Sequence, residues 1–126
     1  MRHRILALAA IACTASLVIA QAPAIKRTLL QRGDVTPERE VVLAMAEISA
    51  GGSTGRHTHP GTETGYVLEG TTVLAIEGEP VRTLHAGDTY IIAAGRIHDA
   101  RADGGNAKVL ATYVVEKGKP LASPAP

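Results

Sequence analysis

Apolar residues along this chain come in short β-branched and aliphatic runs, cut roughly every 8–12 residues by glycine, proline, asparagine or aspartate. The pattern predicts strands over Ile25–Leu30, Arg56–His59, Thr64–Glu69, Thr71–Glu77, Val81–Leu84, Thr89–Ala93, Ile97–Ala102 and Ala107–Val115. Turns are predicted at Pro60-Gly61, Gly78-Glu79-Pro80, Ala86-Gly87-Asp88, Ala94-Gly95 and Asp103 to Asn106, and a loop over Gly33–Glu38, with its Asp34 and Pro37. Arg39–Ile48 is ambiguous. Its Ala, Leu, Met and Glu residues suit a helix, whereas Val41, Val42, Ile48 and the Ala50-Gly51-Gly52 that ends it suit a strand. Strand is the better reading, because the neighbouring strands need a partner. Many short strands with regular turns indicate an all-β sandwich or barrel.

The ends read differently. Met1-Arg-His-Arg4 followed by the apolar Ile5–Ala20 has the form of a secretory signal, and Val18 and Ala20 fit cleavage before Gln21. A retained anchor is the alternative, but sixteen apolar residues fall short of the ~20 that cross a bilayer. Cys13 lacks the usual leucine before it for a lipoprotein cysteine. The predicted organisation is a signal over 1–20, one β-barrel domain over 21–116, and an extended tail over 117–126 with Pro120, Pro124 and Pro126. That places the mature chain in the periplasm or outside the cell.

Removing the signal changes the composition in two ways. Eleven Lys and Arg then face twelve Asp and Glu, with no basic block, which argues against nucleic acid or an anionic membrane as partner. The only cysteine, Cys13, also leaves, so no disulfide and no thiolate chemistry remains. The fold must stand on its core.

The chemistry is concentrated between Gly51 and Gly70. His57 and His59 stand two apart, so in an extended strand they project to one face. A reversal at Pro60-Gly61 could bring Glu63 back beside them. Two nitrogens and an oxygen from one hairpin make a partial shell for a divalent transition metal, and a polar surface loop is the alternative. A second stretch, Gly87 to His98, runs turn, strand and Gly break into another histidine, a candidate third nitrogen.

These residues resemble the cupin superfamily. Gly51, His57, His59, Glu63 and Gly70 match every fixed position of its first motif, G-x5-H-x-H-x3,4-E-x6-G. Gly87, Gly95 and His98 match the second, G-x5-P-x-G-x2-H-x3-N, with Ala93 in place of the proline and Ala102 in place of the asparagine. The resemblance implies a jelly-roll barrel, the double-stranded β-helix of cupins, and a shell of His57, His59, Glu63 and His98 around one divalent metal (Fe, Mn, Ni, Cu or Zn). It also implies one or two metal positions open to water or substrate, and a homodimer.

Strand alternation puts Ala100 and Ala102 on the His98 face and Gly65 on the Glu63 face, so small residues there either open a cavity or relieve crowding. Tyr66, Tyr90 and Tyr113 are the only aromatic rings; each is a packing residue before it is a proton donor. Arg56 and Arg101 should point outward, and His85 should be solvated. No residue is assigned a catalytic role. The favoured function is an exported metalloenzyme acting on an oxygen-rich small molecule, dioxygenase-like or isomerase-like by resemblance. The alternatives are a non-catalytic binder of metal or small ligand, and a β-domain whose metal clips its strands.

Overall fold

The computed structural model describes residues 24–126, so the predicted signal, its cleavage point and Cys13 lie outside the described residues. Among the described residues there are ten β-strands and no helix: β1 Ile25–Thr36, β2 Arg39–Ile48, β3 His57–Thr58, β4 Gly61–Glu69, β5 Thr71–Ile76, β6 Arg82–His85, β7 Thr89–Ile92, β8 His98–Ala102, β9 Ala107–Glu116 and β10 Ser123–Pro124. They form two antiparallel sheets of order β1-β2-β9-β4-β7 and β10-β3-β8-β5-β6, the jelly-roll arrangement expected from the sequence.

Alternation drives the packing. Along β9, Ala107, Val109, Ala111, Tyr113 and Val115 are buried and every residue between them is only partly so. On β2, Val42, Ala44 and Ile48 turn the same way, and β2 is paired along its full length with β1 on one side and β9 on the other. Ladders on both edges decide the ambiguity of Arg39–Ile48, since two rows of backbone partners outweigh a modest helix preference. One core cluster gathers Val67, Leu74, Ile76, Leu84, Ile92 and Val109 between the sheets; a second gathers Val42, Ala44, Ala111, Tyr113 and Val115.

The predicted loop at Gly33–Glu38 is mostly strand. β1 continues to Thr36, which pairs with Arg39, so the reversal occupies only Pro37 and Glu38. As the outer strand of its sheet, β1 has one edge in water, where Gly33 and Asp34 cost little. Register shifts after Leu29 and Asp34 absorb the irregularity. The Thr36 hydroxyl accepts from the Arg39 N–H at 3.1 Å and closes the turn.

The tail is extended, and it is also docked. Leu121 packs on the cluster of Val42, Tyr113 and Val115, and Ser123 and Pro124 pair with Thr58 and His57.

Candidate metal centre

Each sheet contributes part of the site. His57 on β3 stands directly opposite His98 on β8, and Glu63 on β4 of the other sheet faces them across the barrel. His59 lies in the two-residue link between β3 and β4, and the reversal there returns Glu63 towards it as expected. All four side chains are buried.

The loop before β3 is braced so that His57 enters at a fixed angle. The Asp99 carboxylate accepts from the Ser53 hydroxyl at 2.7 Å and the Thr54 hydroxyl at 3.0 Å. Thr54 N–H in turn donates to the Ala100 carbonyl at 2.9 Å. After β7, the turn carrying Ala93 holds without proline: Arg96 N–H donates to the Ala93 carbonyl, and Gly95 N–H donates to the His59 carbonyl at 3.0 Å. Gly95 has φ 74°, a left-handed conformation that favours glycine. Ala102 is 1% exposed beside Ile48 and Ala107, where an asparagine amide would be buried in an apolar cluster.

The ring nitrogens are sorted by their backbone partners. Nδ1 of His57, His59 and His98 lies 2.7, 2.6 and 2.9 Å from the carbonyls of Gly55, Leu121 and Arg96 respectively. A carbonyl only accepts, so each Nδ1 carries the proton and each neutral ring presents a bare Nε2. These Nε2 atoms converge. His57 Nε2 is 3.2 Å from His59 Nε2, and Glu63 Oε2 is 2.9 Å from His59 Nε2 and 3.2 Å from His98 Nε2. One ligand atom from each residue lies within 4.8 Å of all the others.

Distance alone would allow hydrogen bonds from the rings to Glu63 Oε2. The angles do not: Glu63 Oε2 and His98 Nε2 are buried without a hydrogen-bond partner. We therefore read these approaches as contacts of charge around a shared point. Lone pairs and a carboxylate aimed at one buried point repel unless a cation sits between them. A set of three nitrogens and one oxygen suits Fe, Mn, Ni, Cu or Zn, so the residues fit one such ion.

Without a metal the balance differs: burial acts to raise the Glu63 carboxyl, but His59 and His98, once a proton takes the metal's place at Nε2, and the Tyr90 hydroxyl outweigh it and hold the group at about 2. Burial lowers the pKa of His57 against the pull of the Gly55 carbonyl. Burial also acts downward on His98, but Glu63 and the Arg96 carbonyl win and raise it. Burial, then the Glu63 charge, pushes the Tyr90 phenol well above its ordinary range, and Tyr113 follows for the same reasons.

Tyr90 is more than packing. Its hydroxyl donates to Glu63 Oε1 at 2.7 Å, leaving Oε2 as the free ligand atom. Gly65 explains how it gets there, because a Cβ at that position would lie 2.1 Å from the Tyr90 ring. Gly65 thus relieves crowding and opens no cavity. Tyr113 packs its ring 4.7 Å from that of His59, while Tyr66 is largely exposed. Arg56, Arg101 and His85 are exposed, as expected. The cavity at the site is about 30 Å³, walled mostly by aliphatic residues such as Ile48, Leu74 and Val109 but also by Arg27, Thr54 and Tyr113, with room for about one or two waters. Sequence reasoning missed Asp99 and Leu121; the first braces Ser53 and Thr54 from 45 residues away or more, and the second acts through a backbone carbonyl, so neither leaves a local signal.

The profile of the cupin domain matches residues 44–115, and the chain belongs to the cupin family. No curated protein matches it. KdgF from a Halomonas species is similar in structure, with 24% identity and a TM-score of 0.61 over 74% of this chain and 82% of that one. The DMSP lyase DddQ from Ruegeria pomeroyi shares 20% identity, with a TM-score of 0.69 over 81% of this chain and 52% of that one. An oxalate oxidase in complex with glycolate shares 22%, with a TM-score of 0.66 over 82% of this chain and 56% of that one. This chain thus spans about half the length of the latter two. At these identities the likeness shows the fold.

Proposed function

We propose that this chain is an exported cupin that holds one divalent transition metal on His57, His59, Glu63 and His98. We assign it a metalloenzyme role on an oxygen-rich small molecule, dioxygenase-like or isomerase-like. The observation that carries the reading is the convergence of three Nε2 lone pairs and Glu63 Oε2, each ring held by a backbone carbonyl at its other nitrogen. A bound ion of this kind supplies Lewis acidity towards an oxygen ligand.

The chain's own residues do the rest. Tyr90 occupies Oε1 and so presents Oε2, and the aliphatic wall excludes bulk water. Both buried tyrosines stay protonated, so neither is a ready base. Chemistry at this site must therefore draw on the metal. The glycolate held by the similar oxalate oxidase is a small oxygen-rich ligand, which supports that class here. The aliphatic wall also favours the second reading, a non-catalytic binder of metal or small ligand.

Cobalt substitution separates the readings. With exchangeable positions, azide or glycolate should change the visible spectrum of the cobalt protein, whereas a spectrum indifferent to both leaves only a strand clip. Turnover then divides enzyme from binder. Export rests on residues 1–20 and predicts a mature mass beginning at Gln21; a secreted species retaining them removes that part. We also assign a homodimer through the edge strand β1, whose Leu29, Leu30 and Val35 are exposed. A monomer by sedimentation equilibrium at tens of micromolar rejects it.

A further inference from the structure

We infer that the tail, residues 117–126, is a working part of the metal site, because its Leu121 carbonyl sets the tautomer and aim of His59. The inference rests on the metal-binding reading above. The three histidines are braced unequally. His57 and His98 each lean on a carbonyl two residues upstream in their own loops, Gly55 and Arg96. His59 leans on Leu121, 62 residues away along the chain.

Without that carbonyl, the nearest acceptor for a His59 proton is Glu63 Oε2, 2.9 Å from Nε2. A proton on Nε2 would occupy the lone pair that a metal needs. Leu121 therefore holds His59 in the metal-ready form against the attraction of Glu63. The His59 backbone is fixed separately, by Gly95 N–H, so the tail acts on the ring and its proton.

The tail is built to stay there. The Leu121 side chain packs on Val42, Tyr113 and Val115, Ser123 and Pro124 pair with Thr58 and His57, and Ala125 N–H donates to the Arg56 carbonyl at 3.0 Å. Arg56, which also pairs with Glu77, donates from Nε to the Pro126 carbonyl. Pro120, Pro124 and Pro126 restrict the undocked tail, so docking it costs less entropy.

The test uses the full-length chain with residues 121–126 replaced by a Gly/Ser segment of equal length, beside Leu121→Ala, which keeps the carbonyl. Two quantities are read: nitrogen-15 NMR of the histidine rings in metal-free protein, and the zinc dissociation constant by chelator competition. The replacement should move His59 from the Nδ1–H to the Nε2–H form and weaken zinc about 10–100-fold. His57 and His98 should keep their tautomers, and Leu121→Ala should keep all three. An unchanged His59 tautomer with unchanged zinc affinity overturns the inference. If the replacement unfolds, an ester in place of the Leu121–Ala122 amide weakens that carbonyl and removes only the Ala122 N–H besides. It should shift His59 part of the way, and no shift overturns the inference equally. Failure of the wild type to bind zinc or any other divalent metal would instead sink the metal reading, while the tautomer shift would still report on the tail.

Discussion

The two sheets are unlike. In the sheet β1-β2-β9-β4-β7, four neighbouring strands run nine to twelve residues, with an unbroken ten-pair ladder between β2 and β9 and strict alternation along β9. In the sheet β10-β3-β8-β5-β6, two strands have only two residues, and the ladder between β3 and β8 is the single pair His57–His98. Yet the short sheet carries two of the four candidate ligands and, in β10, the anchor of the tail. The long sheet supplies most of the burial and one rigidly placed carboxylate, Glu63. Stability and chemistry are thus divided, with the metal site at the seam. A ligand shell needs side chains from several directions, and regular ladders present only one.

The largest expected effect breaks the long sheet. Val67 on β4 is fully buried at the centre of the first core cluster. Val67→Asp buries an unpaired charge there and should cost more than about 4 kcal/mol, enough to unfold a domain of this size. Far-ultraviolet dichroism should lose the β signal with or without metal. A native spectrum would mean that the division is wrong.

The second acts on the seam. His98→Ala should weaken metal binding by at least about 100-fold while dichroism stays native-like, because the long sheet retains its core. Metal content after dialysis, read beside dichroism, checks both halves. Outright unfolding would make the site structural, and unchanged metal would give the wrong ligands.

What the sequence showed follows the same division. His57, Glu63 and His98 were legible because strand period and one turn fix where they point. The strand character of β2 was legible only through its need for partners. β1 was read short, because Gly33, Asp34 and Pro37 look like a loop unless one knows that the strand is at an edge. The brace on His59 was invisible: a backbone carbonyl leaves no mark on residue choice, and its 62-residue separation lies beyond any local pattern.

Acid should sharpen the comparison. The Glu63 carboxyl sits at about 2, below its ordinary 4.5, so its contribution is complete above pH 4.5 and lost as pH falls towards 2. That shift is worth about 3 kcal/mol in the metal-free chain. His57, with its pKa lowered, also loses its contribution as pH falls below 6.5, while His98, with its pKa raised, contributes below 6.5 and loses it as pH rises. These two act in opposite directions, and the limb between pH 4.5 and 3 lies in the range of the carboxylate. The surface pairs of the long sheet, Lys26–Glu47 and Arg32–Glu40, add little. Urea midpoints of metal-free protein should fall between pH 4.5 and 3, and Glu63→Gln should flatten that fall. A slope kept in Glu63→Gln would move the cause away from the seam.

The smallest expected effect lies where the short strand β7 reaches Glu63. Tyr90 reaches Glu63 Oε1 from β7, over the space that Gly65 leaves open. Tyr90→Phe keeps the ring, and with it the packing against Gly65, but leaves Oε1 without its donor. The carboxylate can then turn, and Oε2 is no longer held towards the three histidines. Metal affinity should fall about tenfold, near the lower end of what loss of an outer partner costs. Stability of the metal-free chain should fall by about 1–2 kcal/mol, since a buried carboxylate loses a charged hydrogen bond. The acid limb should also become shallower and end at higher pH, because one of the groups that hold Glu63 down has gone. Calorimetric titration with zinc, together with urea midpoints at pH 7 and 4, separates these effects. A loss of affinity with the acid limb unmoved would show that Tyr90 shapes the cavity and leaves the charge of Glu63 alone.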